Sequence, residues 1–303
     1  MNEAHEGNPV AGREIALLLL LATLWGGSYT LIKIGVATIP PVTLIAARTG
    51  IAGLLLLAMM QMRGLRLPKD RTTWSRFIFQ ACLNSVIPWT LIAWSERTLD
   101  AGLATILNST SPIFAFFLTI AIAGRAAITR RKLFGVLIGM AGICLIVGMQ
   151  ALTGFGKQLN AEVATIAATV CYAAGAIFGR GFKGLDPIAP AAGSLLAGAG
   201  MLVPASLMVD RPWMLAPSME SVLALLGLSA FSTALAFVIH FRLIMTLGSL
   251  GTTAQAYLRV PIGVALGVLF LGETLTSTAW AGLACVIIGV AAMTMRPARS
   301  ALI

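Results

Sequence analysis

The chain has 303 residues, of which 58% are apolar and only 11% are charged, and its mean hydropathy is +0.92. A soluble domain is about one-quarter charged, so this composition excludes a water-soluble globular protein and is typical of a chain that faces hydrocarbon. The net charge of +10 would suggest a nucleic-acid partner in a soluble protein, but here the basic residues fall in short loops, as membrane topology signals do.

Ten apolar runs are long enough to be transmembrane helices, because a helix needs roughly 20 mainly apolar residues to cross a hydrocarbon core of about 30 Å. The first run passes Tyr29 without a small-residue cleavage site, so we interpret it as a retained helix and not as a signal peptide. The predicted helices 1 to 10 cover about residues 14–35, 42–62, 74–95, 101–122, 131–148, 161–180, 188–208, 219–241, 248–270 and 278–295. The sequence therefore predicts an all-α, polytopic membrane protein.

The distribution of Lys and Arg predicts the orientation in a bacterial inner membrane, because positively charged short loops stay in the cytoplasm. With the N-terminus inside, the inner segments hold 15 basic residues and the outer segments hold 4. Both termini are therefore predicted to be cytoplasmic, which requires an even number of helices. Arg48 and Arg259 lie inside predicted helices, and for Arg48, as for Lys33, we expect the side chain to reach the interface from a nearby helix end.

An internal repeat relates residues 14–148 to residues 161–295. The matching pairs are Pro41 with Pro187, Gly102 with Gly251, Pro112 with Pro261, Gly135 with Gly282 and Gly142 with Gly289, at offsets from 146 to 149. Each half contains five predicted helices, an odd number, so the second half must enter the membrane from the opposite side. In transporters built from such inverted repeats, the substrate site lies between the halves near the midplane.

Two segments, 98–129 and 248–276, carry residues that point to a known family. They are Gly102, Ala104, Ser111, Pro112 and Gly124 in the first segment, and Gly251, Pro261 and the run Leu271–Thr276 in the second. These segments resemble the two EamA repeats of the drug/metabolite transporter superfamily, and the resemblance extends from Leu24 to the helix that holds Gly289. The first repeat departs from the pattern, because it has Arg125 where the second has Glu273.

The resemblance implies ten helices, a central cavity bordered by helices 1, 3, 4, 6, 8 and 9, and the export or exchange of metabolites. Within the superfamily the chain is similar to amino-acid exporters of the YddG type. Polar residues recur at helical spacing on these six predicted helices, which favours a water-filled cavity, although each stripe alone could also serve interhelical hydrogen bonding. The predicted substrate-binding residues are Trp25, Tyr29, Asn84, Trp89, Asn108, Ser111, Tyr172, Ser232, Tyr257 and Arg259.

Arg259 is the most informative single residue, because a charge at this depth costs on the order of 3 kcal/mol unless it is compensated. It could attract a substrate carboxylate, or its guanidinium could bond backbone carbonyls freed by Pro112 or Pro261. The two prolines lie at equivalent midpoints of predicted helices 4 and 9. They are candidate hinges for alternating access, and a fixed bend is the alternative.

Two residues are candidates for a proton relay: Glu96 near the outer end of predicted helix 3, and His240 on predicted helix 8. A lone intramembrane histidine could also serve as a structural hydrogen-bonding group. The small-residue seam Gly135-x-x-x-Gly139, with its counterpart that ends at Gly289, could pack inside the bundle or join two copies. The partners are therefore predicted to be lipid and a small solute, in a monomer or a homodimer.

These patterns predict a secondary transporter that exports small metabolites, with amino acids as the leading class. Efflux of drugs or amphipaths is the alternative, which the aromatic walls permit. All 11 acidic residues fall in loops, tails or near helix ends, which disfavours an exporter that binds cations at a buried carboxylate. The sequence has no metal-ligand cluster, nucleotide loop or catalytic triad spacing, so we predict neither an enzyme nor a cofactor.

Overall fold

The computed structural model describes residues 9–95, 106–124, 129–148, 155–262 and 277–294, and in these ranges the chain is helical and has no strands. The helices are α1 (Pro9–Gly26), α2 (Ser28–Gly35), α3 (Pro41–Met62), α4 (Arg71–Ala81), α5 (Ile87–Ser95), α6 (Ser111–Ala123), α7 (Arg130–Val147), α8 (Leu159–Gly179), α9 (Ile188–Val209), α10 (Met219–Ser229), α11 (Ala236–Thr246), α12 (Gly248–Thr253) and α13 (Ser277–Thr294). Residues 255–262 are also helical.

Six helical segments in the described ranges are long and apolar enough to cross a membrane. They are Pro41–Met62, Ile106–Ala123, Leu159–Phe182, Ile188–Val209, Met219–Thr246 and Ser277–Thr294. The all-helical class is confirmed, and several predicted runs agree closely with the observed helices; the run 188–208, for example, corresponds to α9. That ten helices cross the membrane, with both termini inside, stays a prediction.

Local sequence explains where several helices begin and end. α3 starts with Pro41 in its first turn, where the missing N–H costs nothing, and it is followed by Gly64 at φ +69°. Asp70, Thr129 and Ser218 cap α4, α7 and α10, because each side-chain oxygen accepts a hydrogen bond from a backbone N–H of the first turn. Hydrogen bonds from the side chain and the backbone N–H of Thr73 lower the pKa of the Asp70 carboxyl below its ordinary value.

Two π-helical segments each interrupt a long helical stretch of the chain. Cys82–Val86 joins α4 to α5, and Ala230–Leu235 joins α10 to α11. Their first residues are 148 positions apart, which is the spacing of the internal repeat. Single-turn π segments inside α-helices are frequent at functional sites.

Glycines hold α7 against α13 inside the bundle. A Cβ atom added to Gly142 would lie 2.6 Å from the carbonyl oxygen of Gly282, and one added to Gly135 would lie 2.7 Å from that of Gly289. The contacting residue numbers run in opposite directions, so the two helices are antiparallel. The small-residue seam is therefore used within one chain, which decides between the two alternatives that the sequence left open for it.

α9 packs along α3 in the same antiparallel manner. A Cβ atom at Gly53 would contact Leu196 at 3.0 Å, and one at Gly50 would contact Ala199 at 3.9 Å. Each of these two helix pairs joins corresponding helices of the two predicted repeats.

The outer surface of the bundle is apolar. Met208 is 82% exposed, Ile122 70% and Phe231 60%, which is the expected surface of a protein whose surroundings are hydrocarbon. Trp213 and Trp280, which the sequence predicted to lie at the membrane interface, are also well exposed.

Candidate functional site

A cavity lies between the helices of the two predicted repeats. Its open volume is about 1110 Å³, including the space at its mouth. It extends from Trp25, near the end of α1, to Val36 and Pro41 at the loop between α2 and α3. Eight residues that the sequence singled out line it: Trp25, Asn84, Trp89, Asn108, Ser111, Tyr172, His240 and Arg259.

Helix breaks lie beside the polar lining residues. A turn at Gly27 separates α1 from α2 next to Ser28, and a turn at residues 109–110 precedes α6 next to Asn108. A third turn, at Ala254, separates α12 from residues 255–262 next to Gln255. Discontinuous helices often build transporter substrate sites, because backbone groups freed from the helix are tolerated only where they line a cavity.

The break before α6 corrects the position predicted for one hinge candidate. Pro112 is not at the midpoint of a continuous helix, because it lies in the first turn of α6, where proline is well tolerated. Pro261 lies in the helical residues 255–262, but the turn at Ala254 interrupts the predicted helix 248–270, whose remainder lies outside the described residues, so its position at a helix midpoint stays a prediction. The two prolines therefore occupy different local structures.

Arg259 lies in the cavity wall, on the helical residues 255–262. Its Nε donates a hydrogen bond of 2.7 Å to Oε1 of Gln255, and its guanidinium carbon lies 4.9 Å from the ring centre of Trp25. This hydrogen bond goes to a side chain and not to a backbone carbonyl freed by Pro112 or Pro261. Among the described residues, Arg259 therefore lies in the cavity wall and is hydrogen-bonded to a side chain, and its role in substrate binding stays a prediction.

Arg48 is a cavity residue that the sequence analysis missed. Its side chain is 5% exposed; its Nε donates to Oγ1 of Thr233 at 2.5 Å, and its Nη2 donates to the carbonyl of Ser232 at 3.3 Å. Its guanidinium carbon lies 4.0 Å from the ring centre of Trp89. The prediction that Arg48 reaches the membrane interface is therefore wrong, because its partners hold it in the bundle beside the cavity.

Aromatic rings form a connected wall around these two arginines. Phe237 makes edge contacts with Trp25 at 6.3 Å and with Trp89 at 6.1 Å between ring centres, and His240 lies 5.2 Å from Trp25. Nε1 of Trp25 donates a hydrogen bond of 3.1 Å to the carbonyl of Ser232. The indole is therefore held in place by both packing and a hydrogen bond.

Two predicted binding residues do not line the cavity. Ser232 is buried behind the lining, where its backbone carbonyl accepts hydrogen bonds from Trp25 and Arg48. Tyr257 is fully buried, donates its hydroxyl to the carbonyl of Val136 at 3.0 Å, and packs its ring against Gly139. The prediction that Tyr257 forms a substrate wall is corrected, because its helix turns it toward α7.

Two other predicted residues cannot be placed, since the side chain of Tyr29 and the whole of Glu96 lie outside the described residues.

Buried polar atoms without partners lie at the cavity. Nδ1 of His240 and Nδ2 of Asn84 are buried and have no hydrogen-bond partner among the described residues, although both residues line the cavity. Buried polar groups are nearly always hydrogen-bonded, so an unsatisfied pair at a cavity marks a place where a solute or water is expected.

The charge of the lining is one-sided. Arg48 and Arg259 are the charged residues among the described lining residues, and none of those residues carries a carboxylate. No group of three or more His, Cys, Asp or Glu able to hold a metal ion occurs in the described part of the chain. The cavity can therefore attract an anionic group and stack apolar or ring atoms against its indoles.

The opposite end of the bundle carries an ion pair. Glu14 of α1 is buried, and its carboxylate accepts a hydrogen bond of 2.7 Å from Nη2 of Arg242 and one of 2.9 Å from the hydroxyl of Thr246. Glu14 and Trp25 are separated by about 16 Å of helix, at 1.5 Å per residue. These contacts join α1 to α11 below the cavity.

Known proteins resemble the chain along nearly its whole length. The model of the EamA-like transporter family matches residues 12–148 and 159–295. The chain is 27% identical to the "Uncharacterized inner membrane transporter YedA" of Escherichia coli (strain K12), over 92% of this chain and 89% of that protein. It is 25% identical to a "Probable amino-acid metabolite efflux pump" of Salmonella typhimurium, over 90% of this chain and 92% of that protein.

A solved structure, described only as the crystal structure of a protein, shares the fold. It has a TM-score of 0.77 at 17% identity and covers 93% of this chain and 97% of its own. The two family matches together span most of the sequence, and they coincide with the halves between which the cavity lies. The chain therefore belongs to the EamA-like transporter family of membrane transporters.

Proposed function

We propose that this protein is a secondary transporter of a bacterial inner membrane that exports small metabolites, with amino acids as the substrate class. The observation that carries the proposal is Arg259, a cation stacked on Trp25 inside a cavity at the junction of the two halves. A guanidinium in this position binds a carboxylate with charge-assisted hydrogen bonds. The name of the Salmonella relative supports amino acids as the class.

Different residues of the lining bind different parts of the substrate. Arg259 attracts the substrate carboxylate, and the side chains of Asn84, Asn108 and Ser111 offer hydrogen bonds to its polar groups. Trp25 and Trp89 pack against the rest of the substrate. In a small-molecule site, apolar contacts supply most of the affinity, and a few polar groups fix the orientation of the ligand.

Transport follows from ten helices arranged as two inverted repeats, residues 14–148 and 161–295, that rock against each other. The antiparallel packing of α3 with α9 and of α7 with α13 supports this arrangement, since inverted copies bring corresponding helices together in opposite directions. With both termini in the cytoplasm, the cavity extends toward the outer side.

In that orientation, the contacts of Glu14 with Arg242 and Thr246 close the inner side. Inward opening must separate them, and the turn before Pro112 together with the helix around Pro261 supplies positions where the backbone can bend. His240, with its buried unpartnered Nδ1, is the proton-relay candidate among the described residues, and Glu96 is the second candidate.

Efflux of cationic drugs is the rival function. The aromatic wall of Trp25, Trp89 and Phe237 would accept such molecules. The positive charge of Arg259 at the cavity opposes it, because a cationic molecule would be repelled there.

Counterflow of labelled amino acids into proteoliposomes that hold the purified protein tests the proposal. We expect uptake of at least one amino acid above protein-free liposomes, and repeating the assay with and without a pH gradient tests proton coupling. Absence of flux for every amino acid, with transport of drug cations instead, would overturn the substrate assignment.

A further inference from the structure

We propose that the cavity holds a separate subsite for the side chain of the substrate, and that this subsite selects amino acids with a bulky aliphatic side chain, such as leucine. This inference rests on the transport function proposed above and narrows its substrate class. The carboxylate would bind at Arg259, and the side chain would point toward the mouth of the cavity.

Apolar side chains line one side of the cavity near its mouth. They come from α2, the loop after it, α3 and α5, and we call them the aliphatic face: Ile32, Val36, Pro41, Leu44, Ile45 and Ile92. Apolar side chains offer no hydrogen bond to a solute, so the aliphatic face favours apolar atoms and disfavours an amide or a hydroxyl.

The aliphatic face lies one helical turn closer to the mouth than the contact of Arg48 with Trp89. The guanidinium carbon of Arg48 lies 4.0 Å from the centre of that ring, so the two side chains are at the same depth. α3 runs away from the mouth and α5 runs toward it, because residues 63–70 reverse the chain between them. Ile45 and Ile92, each three residues away in the direction of the mouth, therefore lie about 4.5 Å nearer to it.

Part of the aliphatic face is held in place by its own packing. Leu44 is 2% exposed and forms a small apolar cluster with Ile39 and Leu228, against which Ile32 packs. A Cβ atom added to Gly35 would lie 2.9 Å from Cδ1 of Leu44, so α2 and α3 are in close contact here. A surface that is packed before the substrate arrives loses little conformational freedom on binding.

The distance from Arg259 to the aliphatic face suits a side chain of four carbons. The guanidinium of Arg259 stacks on Trp25, and Ile32 lies seven residues further along the chain, which is about 10 Å of helix. A hydrogen bond of about 3 Å to the carboxylate, followed by the length of leucine, about 6 Å from a carboxylate oxygen to a terminal methyl group, covers most of this distance. The methyl group of alanine is too short to reach the face.

The ammonium group of such a substrate finds acceptors between the two ends. The hydroxyl of Ser28 donates its proton to the carbonyl of Trp25 at 2.7 Å, which leaves the oxygen lone pairs of Ser28 available to an ammonium donor. The cavity thus offers a cation for the carboxylate, an oxygen for the ammonium group and an apolar surface for the side chain.

Leucine and asparagine provide the decisive comparison, because their side chains have nearly the same shape and differ in polarity. We expect counterflow into proteoliposomes that hold the wild-type protein, at one low concentration, to be at least about tenfold faster for leucine than for asparagine, since an amide buried on an apolar surface loses its hydrogen bonds. Leucine should exceed alanine by at least about the same factor, because each methylene in an apolar pocket contributes to recognition.

The possible failures are distinguishable. Counterflow of asparagine or alanine that equals or exceeds that of leucine would overturn the side-chain subsite and leave amino-acid transport intact. Absence of counterflow for every amino acid would overturn the transport proposal itself.

A matched pair of variants on α5 tests the aliphatic face. Ile92→Ala should lower the ratio of leucine to alanine counterflow by about tenfold, because it removes apolar contact with the longer side chain only. Ile87→Ala, the same substitution at a residue of α5 that is 41% exposed and outside the described lining, is the control and should keep the wild-type ratio.

An equal loss for leucine and alanine in Ile92→Ala would refute the subsite, because it would show that the aliphatic face controls only the opening of the mouth. If this variant does not fold, the wild-type ratio of leucine to asparagine counterflow still decides the proposal.

Discussion

The two halves of this protein meet at two very different surfaces. Along the seam between α7 and α13, the backbones nearly touch, with glycines such as Gly142 and Gly282 at the contact points. Around the cavity, the halves stand apart, and arginine, tryptophan and asparagine side chains face the space. The first surface is closed because its glycines have no side chains, and the second is lined by large side chains.

The seam is a structural contact, and the cavity is the site proposed for binding. Small residues in a membrane allow close van der Waals packing, which is a main source of helix association there. A buried arginine is costly in a membrane unless something compensates its charge, which is why Arg259 at the cavity carries the binding proposal above. Substitutions should therefore act on folding at the seam and on transport at the cavity.

The largest expected effect is at the seam. Gly142→Leu should prevent folding, because even a Cβ atom there would lie 2.6 Å from a backbone oxygen and 2.9 Å from the backbone nitrogen of Val286. Overpacking of this kind costs about 1–3 kcal/mol or more. The measurement is the fraction of monodisperse protein after extraction in mild detergent.

Gly200→Leu is the matched control, since Gly200 is an exposed glycine of α9 with no atom within 4 Å of its added Cβ. Equal yields from the two variants would contradict the structural role of the seam.

At the cavity, Arg259→Gln should leave folding intact and lower amino-acid transport by about 10- to 100-fold, because it removes a charged hydrogen bond to the substrate. Arg259→Lys keeps the charge and should retain part of the activity. Initial rates of counterflow, normalised to protein in the liposomes, provide the test. An Arg259→Gln protein that transports at the wild-type rate would show that this guanidinium is structural.

Substitution of Glu14, at the proposed cytoplasmic end of the bundle, should have a smaller effect than the cavity variants. Glu14→Gln weakens the contact with Arg242, a partly exposed ion pair, and should shift the balance toward inward-open states by about two- to fivefold. Accessibility of Leu18→Cys, at a buried position one turn after Glu14, to a thiol reagent from the cytoplasmic side of inverted vesicles would report the shift. The same low reactivity with and without Glu14 would mean that this pair does not hold the inner side closed.

The smallest effect, a change in stability, is expected at the aromatic wall of the cavity. Trp25→Phe keeps an aromatic ring but removes the hydrogen bond to the carbonyl of Ser232, at a cost of about 0.5–1.5 kcal/mol. Thermal unfolding in detergent measures this cost. Trp213→Phe is the control, because this tryptophan is 67% exposed, and an equal shift in both variants would count against a specific role for Trp25.

The apolar runs predicted the long helices well, because a helix that crosses the bilayer needs a long uninterrupted apolar stretch. For example, α3 begins at Pro41, one residue before the predicted start. It could not predict the turn at Gly27 or the π segment at Cys82–Val86, since these depend on how neighbouring helices pack. Hydropathy does not register a change from α to π geometry.

The site was predicted in part, for reasons that particular residues make clear. Arg259 and Trp25 were found because charge and aromatic rings at mid-depth are rare. Arg48 was missed because we expected its side chain to reach the membrane interface. It lies two turns inside α3, about 10 Å from the helix start, which is a long distance for an arginine side chain to span. Tyr257 was misassigned because helical spacing alone did not show that its ring packs on Gly139.

Passage of substrate through the cavity is tested most directly by a pair of single-cysteine variants without the four natural cysteines. Asn108→Cys places a thiol in the cavity wall, and Ser194→Cys places one in the buried interior of α9, outside the cavity. We predict that a small, membrane-impermeant thiol reagent modifies the first variant, that a transported amino acid slows this modification, and that the second variant stays unreactive. Equal modification of both variants, or modification of Asn108→Cys that no transported amino acid slows, would contradict a substrate path through this cavity.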